Sequence, residues 1–207
     1  MEYSVAQPSD SDEIVRLLAT VFSASDPPAV AMALSVADME QFLRLVVPDV
    51  IPEGLTIVAR SPATGKLAGA LLTDDFASPP APEFSQIHPK LVPILSLLEV
   101  LDAQFREGRT IMAGTCLHLF MLGVDEAFAG QGIGQGLVKA CVENGLRRDY
   151  RSALTEATGK VSQHIFRKNG FEERCSVAYR DFLYDNRPVF ASIRDHEKAI
   201  LMDRSLA

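Results

Sequence analysis

The stretch from 124 to 140, VDEAFAGQGIGQGLVKA, places glycines at 130, 132, 134 and 136. An apolar run with strand character, CLHLFMLGV (116–124), precedes it, and LVKACVENGL (137–146), which reads as a helix, follows. Strand, glycine-rich turn and helix together make a phosphate cradle, because alternate glycines entering a helix leave consecutive backbone N–H groups open to an anion. A dinucleotide fold wants G-x-G-x-x-G, but counting six from Gly130 gives Gln135 and from Gly132 gives Leu137. A nucleoside-triphosphate loop wants G-K-[ST], which the stretch lacks. A purely structural turn and a cradle for another kind of pyrophosphate are the two readings left.

Bulk properties narrow the class of partner. The 207 residues fit one domain, 1–207, with chain enough for a sizeable core. At 47% hydrophobic and 23% charged residues the chain reads as globular rather than disordered. A formal net charge of −7 argues against nucleic acid, which needs a basic face, and suits a cationic small substrate. Cys116, Cys141 and Cys175 are odd in number and widely spaced, so neither a zinc pattern nor a disulfide framework is expected. The N-terminal MEYSVAQPSDSDE is unlike a signal peptide, and no apolar run nears the roughly 18 residues of a membrane span. A reducing cytoplasm is the expected location.

Along the chain, YSVAQ (3–7) reads as a strand and PSDSDEIVRLLATVF (8–22) as a helix capped by Ser9 or Asp10, with Ile14, Leu17, Leu18 and Val21 on one face. SASDPPAV (23–30) breaks it, and 36–47 is helical again. LTIVAR (55–60) and KLAGALLT (66–73) flank the turn SPATG, a hairpin signal. A long loop over 74–90 leads to a helix over 91–107, whose Pro93 is tolerable in the first turn. After the glycine turn and its helix come a strand SALTEA (152–157) and a short helix ending at Asn169-Gly170. Strands SVAYRDFLY (176–184) and KAILMDRSL (198–206) close the chain.

The order LHLFMLGVDEAFAGQGIGQGL, then LTEATGKVSQHIFRKNGF, resembles the GCN5-related N-acetyltransferase (GNAT) family. That family shows a strand, a [RQ]-x-x-G-x-[GA] loop, a helix, a strand, and a helix closing in K-x-G-F. Here Ala129 stands where Arg or Gln is usual, and Lys168-Asn169-Gly170-Phe171 fills the close. Within the family, TEATGKVSQHIFRKNGF, the C-terminal tail and FSASDPP look most like arylalkylamine N-acetyltransferases of the insect type. The resemblance implies an α/β (α+β) fold: a mixed, mostly antiparallel sheet flanked by helices and splayed beside Val124. It also implies acetyl-CoA as co-substrate, without a metal. The pantetheine arm would pair with the backbone of Leu122, Gly123 and Val124. The pyrophosphate would sit on the loop Ala129, Gly130, Gln131, Gly132, Ile133, Gly134 and Gln135.

Acetyl transfer to an amine needs the amine deprotonated, positioned against the thioester, and a leaving thiolate stabilised. His118, on the strand before Val124 with Phe120 on the same face, matches the first histidine of the vertebrate enzymes' H-L-H pattern and could relay the proton. It could equally be a hydrogen-bonded strand histidine. Asp26 stands where the insect-type enzymes carry Glu before Pro, and could otherwise simply open a proline turn. Glu156 reads as a polar strand terminus. Ser162 matches a serine used near the thiolate, with an N-cap as the alternative. Phe166, at helical spacing from Ser162 on the cofactor side, replaces a Tyr that cannot then serve as acid. Tyr179 is a fallback donor.

The expectation is therefore an N-acetyltransferase acting by direct attack of a small primary amine, with segments 28–50 and 75–95 walling the amine pocket. A non-catalytic acyl-CoA-binding module, binding without turnover, is one rival. A protein or peptide acetyltransferase, needing an open groove, is the other. The oligomeric state is left open, a homodimer included.

Overall fold

The computed structural model describes residues 1–77 and 87–206. One seven-stranded sheet runs in the order β1 (Glu2–Val5), β2 (Ile57–Arg60), β3 (Leu67–Asp75), β4 (Cys116–Val124), β5 (Ser152–Ala157), β7 (Lys198–Ser205) and β6 (Glu172–Ala178). Every neighbour is antiparallel except β4 and β5, which are parallel. The helices are α1 (Ser11–Ser25), α2 (Pro27–Ala31), α3 (Val36–Val50), α4 (Val92–Arg106), α5 (Ile133–Leu146) and α6 (Lys160–Lys168). This is the mixed, mostly antiparallel sheet flanked by helices that the resemblance implies.

Period-two alternation makes each strand serve two cores. Leu72, Leu154 and Leu201 face one core with Ile14 and Leu18 of α1, Leu43 of α3 and Leu97 and Leu101 of α4. Leu71, Leu117, Leu119 and Met202 face the other, with Leu137, Val138 and Cys141 of α5 and Phe166 of α6. Two irregularities position the site. Leu72 pairs with Met121 but Thr73 with Leu119, so Phe120 is an extra residue bulged out of register. The bulge puts Phe120 and Met121 against the same core, where strict alternation would put only one of them. And β4 pairs with β5 only over Cys116–His118 with Ser152–Leu154, although both strands continue. At the next position the Thr155 hydroxyl, not its backbone, reaches the Leu119 carbonyl at 2.7 Å. The sheet parts just beyond His118, so the splay begins earlier than Val124.

Some boundaries differ from the sequence expectation. Pro8–Asp10 form a 3-10 turn ahead of α1, and the Asp10 carboxylate makes no capping bond to α1; it closes the 3-10 turn by accepting from Gln7 N–H and also accepts from Arg60 Nη2, each at 2.7 Å. Helix α3 runs through Pro48 to Val50, because buried Val50 and Ile51 hold the chain against the core beyond it. The strand expected at 176–184 lies at Glu172–Ala178: Tyr179 turns inward, and Phe182 stacks on Phe190 at 5.4 Å instead of extending the sheet. Part of the expected 74–90 loop, and of the 75–95 pocket wall, lies outside the described residues.

Candidate active site

The glycine turn leaves β4 through a short 3-10 turn (Glu126–Phe128) and enters α5. Gly130 (φ 75°) and Gly132 (φ 73°) hold left-handed backbone that other residues adopt only with strain, and both are exposed. Gly132 caps α5 without a side-chain hydrogen bond, so the first-turn N–H groups of Ile133, Gly134 and Gln135 meet no capping side chain. Ala129, Gln131 and Gln135 are exposed around them. Gly134 has a different reason for being small. It is buried, and a Cβ there would meet Ile165 Cδ1 of α6 at 2.9 Å. Gly123 is likewise set by packing: a Cβ would lie 2.6 Å from Leu18 Cδ2, so glycine lets α1 sit directly on the strand.

His118 sits where the sheet parts. Its Nδ1 is 3.0 Å from Asp74 Oδ1 of β3, and its Nε2 is 2.8 Å from Glu156 Oε2 of β5. Phe76 and Phe120 flank the ring at centroid distances of 5.5 and 5.4 Å. With a carboxylate on each nitrogen, both donate and the ring is an imidazolium. Burial opposes that charge, but attraction to Glu156 and Asp74 and the hydrogen bonds to both outweigh it, holding the pKa well above the ordinary 6.5. A ring in this state has no lone pair for an amine proton, which weighs against His118 as the base. The Glu156 side chain is 4% exposed, so the polar strand terminus read from the sequence is buried and paired with His118. Burial pushes its pKa up, but the charge and hydrogen bond of His118, with the neighbouring Asp102 of α4, pull it below the ordinary value.

Asp26 lies at a second point, near the end of β5. Its Oδ2 accepts from Ala29 N–H at 3.0 Å, capping α2, and its Oδ1 accepts from Thr158 Oγ1 at 2.5 Å. Tyr179, buried, donates to the Thr158 carbonyl at 2.6 Å. Burial raises the Asp26 pKa, against the two hydrogen bonds that lower it.

Ser162, at the third position of α6, donates to the Gly159 carbonyl at 2.9 Å and accepts from Gly159 N–H at 3.3 Å; its hydroxyl closes the first turn, but the N-cap is Gly159 and not Ser162. Phe166 is a correction. Its side chain is 2% exposed and packs edge-on against Phe171 at 5.1 Å, within the core, so it offers no surface to a cofactor. Its helical face is shared with buried core residues, not with the cleft.

The sequence reading missed Asp74 and Asp102. Each left a trace: Asp74 follows an apolar strand run, and Asp102 stands one turn beyond Leu98 and beside Leu101 on the packed edge of α4. Among the described residues no group of three His, Cys, Asp or Glu side chains is disposed to hold a metal ion, and no helix is long and apolar enough to cross a membrane. The three cysteines are free.

A sheet parted beside a glycine turn that feeds an uncapped helix defines an acyltransferase architecture. Residues 53–171 match the Acetyltransferase (GNAT) family, and the chain belongs to that family. Among solved structures it is similar to the C-terminal condensation domain of Ebony in complex with beta-alanyl-dopamine (TM-score 0.91, 15% identity, covering 99% of this chain and 98% of that one). It is also similar to arylalkylamine N-acetyltransferase 2 of Aedes aegypti (0.84, 22%, covering 100% and 99%). A Drosophila melanogaster polyamine N-acetyltransferase that forms N-acetylagmatine is a third (0.75, 18%, covering 99% and 99%).

Proposed function

We propose that this acyltransferase moves an acetyl group from acetyl-CoA to a small, cationic primary amine by direct attack. The observation that carries the reading is the parting of β4 from β5 immediately before the glycine turn and the uncapped start of α5. An extended pantetheine arm fits the freed edge at Leu122–Val124, and a pyrophosphate fits the N–H groups after Gly132. The aligned peptide dipoles of α5 favour that anion.

The amine would enter over the His118 cluster. With Asp74 and Glu156 as carboxylates and His118 as a cation, one negative charge is left over to attract an ammonium ion. Phe76 and Phe120 beside it supply an aromatic wall. Asp26 is the proposed base: its desolvated carboxylate is more basic than a solvated one, and it lies by the β5 end of the parting. His118 then acts by holding Glu156 and Asp74 in place. Ser162 remains the candidate hydroxyl near the leaving thiolate, provided it releases the Gly159 carbonyl.

Thiol-release turnover tests the reading. Purified protein is given acetyl-CoA with arylalkylamines, agmatine and polyamines, amino acids and peptides. Turnover confined to small amines supports it; turnover on peptides alone favours a protein acetyltransferase; acyl-CoA binding without turnover favours a binding module. Since one similar structure holds beta-alanyl-dopamine, β-alanyl-CoA belongs in the panel as a second donor.

A further inference from the structure

Two buried oxygens near His118 stand out. Asp102 Oδ1 and Glu156 Oε1 are shielded from solvent, and neither has an N–H or O–H donor among the described residues. A buried acceptor without a donor is costly, and two of them facing one another as charges would be costlier. Yet the two carboxyl groups are near enough for each to shift the other's titration. Two carboxyl groups hydrogen-bond only when one carries a proton.

We infer that Asp102 is a positioning residue that carries this proton: its carboxylic acid donates to Glu156 Oε1, leaving Glu156 Oε2 to accept from His118 Nε2–H. The chain then reads Asp102 O–H to Glu156, His118 N–H to Glu156, and His118 N–H to Asp74, with every buried donor and acceptor paired and one net negative charge on the four groups. The proton explains how an acid on the packed edge of α4 is tolerated beside Leu101, and why Glu156 keeps a fixed orientation.

The surroundings support the assignment. Burial and the Glu156 charge push the Asp102 pKa up to about 8, against weaker lowering by His118 and by Arg106 one turn along α4. Arg106 is committed elsewhere, donating to the Phe76 carbonyl at 2.7 Å with its guanidinium over the Phe76 ring. From β6, Cys175 feels Asp102 and Glu156, and also Arg109 and Glu173. Cys175 Sγ itself bonds to the Leu101 carbonyl at 3.5 Å. None of these supplies Asp102 with a positive partner that would hold it ionised.

The proton makes the site adjustable. Above the pH at which Asp102 ionises, the cluster gains a second negative charge, and a cation bound over it is held more tightly. This consequence rests on the proposed amine site; the proton on Asp102 does not.

Two measurements separate them. In protein labelled with ¹³C at the aspartate carboxyls, one resonance is expected to report a protonated acid through neutral pH and to ionise near pH 8. It should vanish in Asp102→Asn, whose amide N–H can still donate to Glu156 and keep the fold. If every aspartate resonance titrates below about pH 6, or if the protonated signal survives in Asp102→Asn, the inference is overturned. The second measurement follows binding of phenethyltrimethylammonium, a cation that cannot titrate, from pH 6.5 to 9. Several-fold tightening in the wild type and a flat response in Asp102→Asn support the role in substrate charge. Equal tightening in both proteins overturns that role. A probe that binds neither protein at any pH counts against the amine site, while the carboxyl resonance still decides the proton.

Discussion

Glu156 Oε2 lies 2.8 Å from His118 Nε2, across the seam where β4 and β5 cease to pair. The two residues come from neighbouring strands, so the hydrogen bond spans the mouth of the parting and ties its edges. Replacing Glu156 with Gln removes the charge and keeps the shape. The His118 pKa should then fall toward its ordinary 6.5, since the leading attraction that raises it is gone. Imidazole NMR measures this directly; an unchanged titration would show that Asp74 alone holds the ring charged.

Stability should decline on the alkaline side of neutrality. Asp102 keeps its proton to about pH 8 in the native protein but loses it near 3.8 when unfolded, so between those values the native state binds the extra proton. His118 does the same above 6.5, because its native pKa is raised: its contribution is full below 6.5 and is lost as pH climbs through the native value. Both signs agree. Chemical denaturation between pH 6 and 9 should show stability falling, and more shallowly in Asp102→Asn. A rise over that interval would contradict the protonation states assigned.

Gly123 carries α1 on its bare Cα. Gly123→Ala brings a methyl to within 2.6 Å of Leu18 Cδ2, and Leu17 and Val21 leave little room for Leu18 to yield. The expected cost is about 1–3 kcal/mol in stability, as for overpacking elsewhere. Acetyl-CoA affinity should fall with it, because the edge proposed to pair with pantetheine shifts. Full stability in this variant would mean that α1 has slack not visible in the packing.

The glycine turn divides into two kinds of position. Gly132→Val puts a β-branched residue at φ 73° on the exposed loop, so it should weaken acetyl-CoA binding strongly by distorting the proposed cradle. Gly134→Ala should act on the fold, through the 2.9 Å approach to Ile165, with a smaller effect on cofactor affinity once the protein is folded. Calorimetric binding and thermal unfolding of both variants check the division, and identical profiles would argue against it.

The sequence carried the fold well for a physical reason. Alternation in β4 and β5, the turn SPATG and the glycine entry to α5 are local patterns, and each lies where those patterns place it. His118 was legible because a histidine in an apolar strand is conspicuous. Its partners were not. Asp74, Glu156 and Asp102 come from two other strands and a helix, and only the sheet order β3-β4-β5 with α4 packed across it brings them together. A carboxylate at a strand end is covered only when a neighbouring element packs over it, so the burial of Glu156 leaves no local trace. Phe166 failed differently: its spacing from Ser162 was right, but the helix turns that residue into the core.

Transfer of an acyl group to an amine, with Asp26 taking the proton, is tested most directly by measuring the acylated amine and the free thiol together, for the wild type and for Asp26→Asn, with acetyl-CoA and phenethylamine. One amide per thiol is expected from the wild type. In Asp26→Asn the expected loss is roughly 10²- to 10⁴-fold in turnover, with acetyl-CoA affinity unchanged because the loop and β4 edge are untouched. Thiol release without amide, or undiminished amide formation by Asp26→Asn, would contradict it.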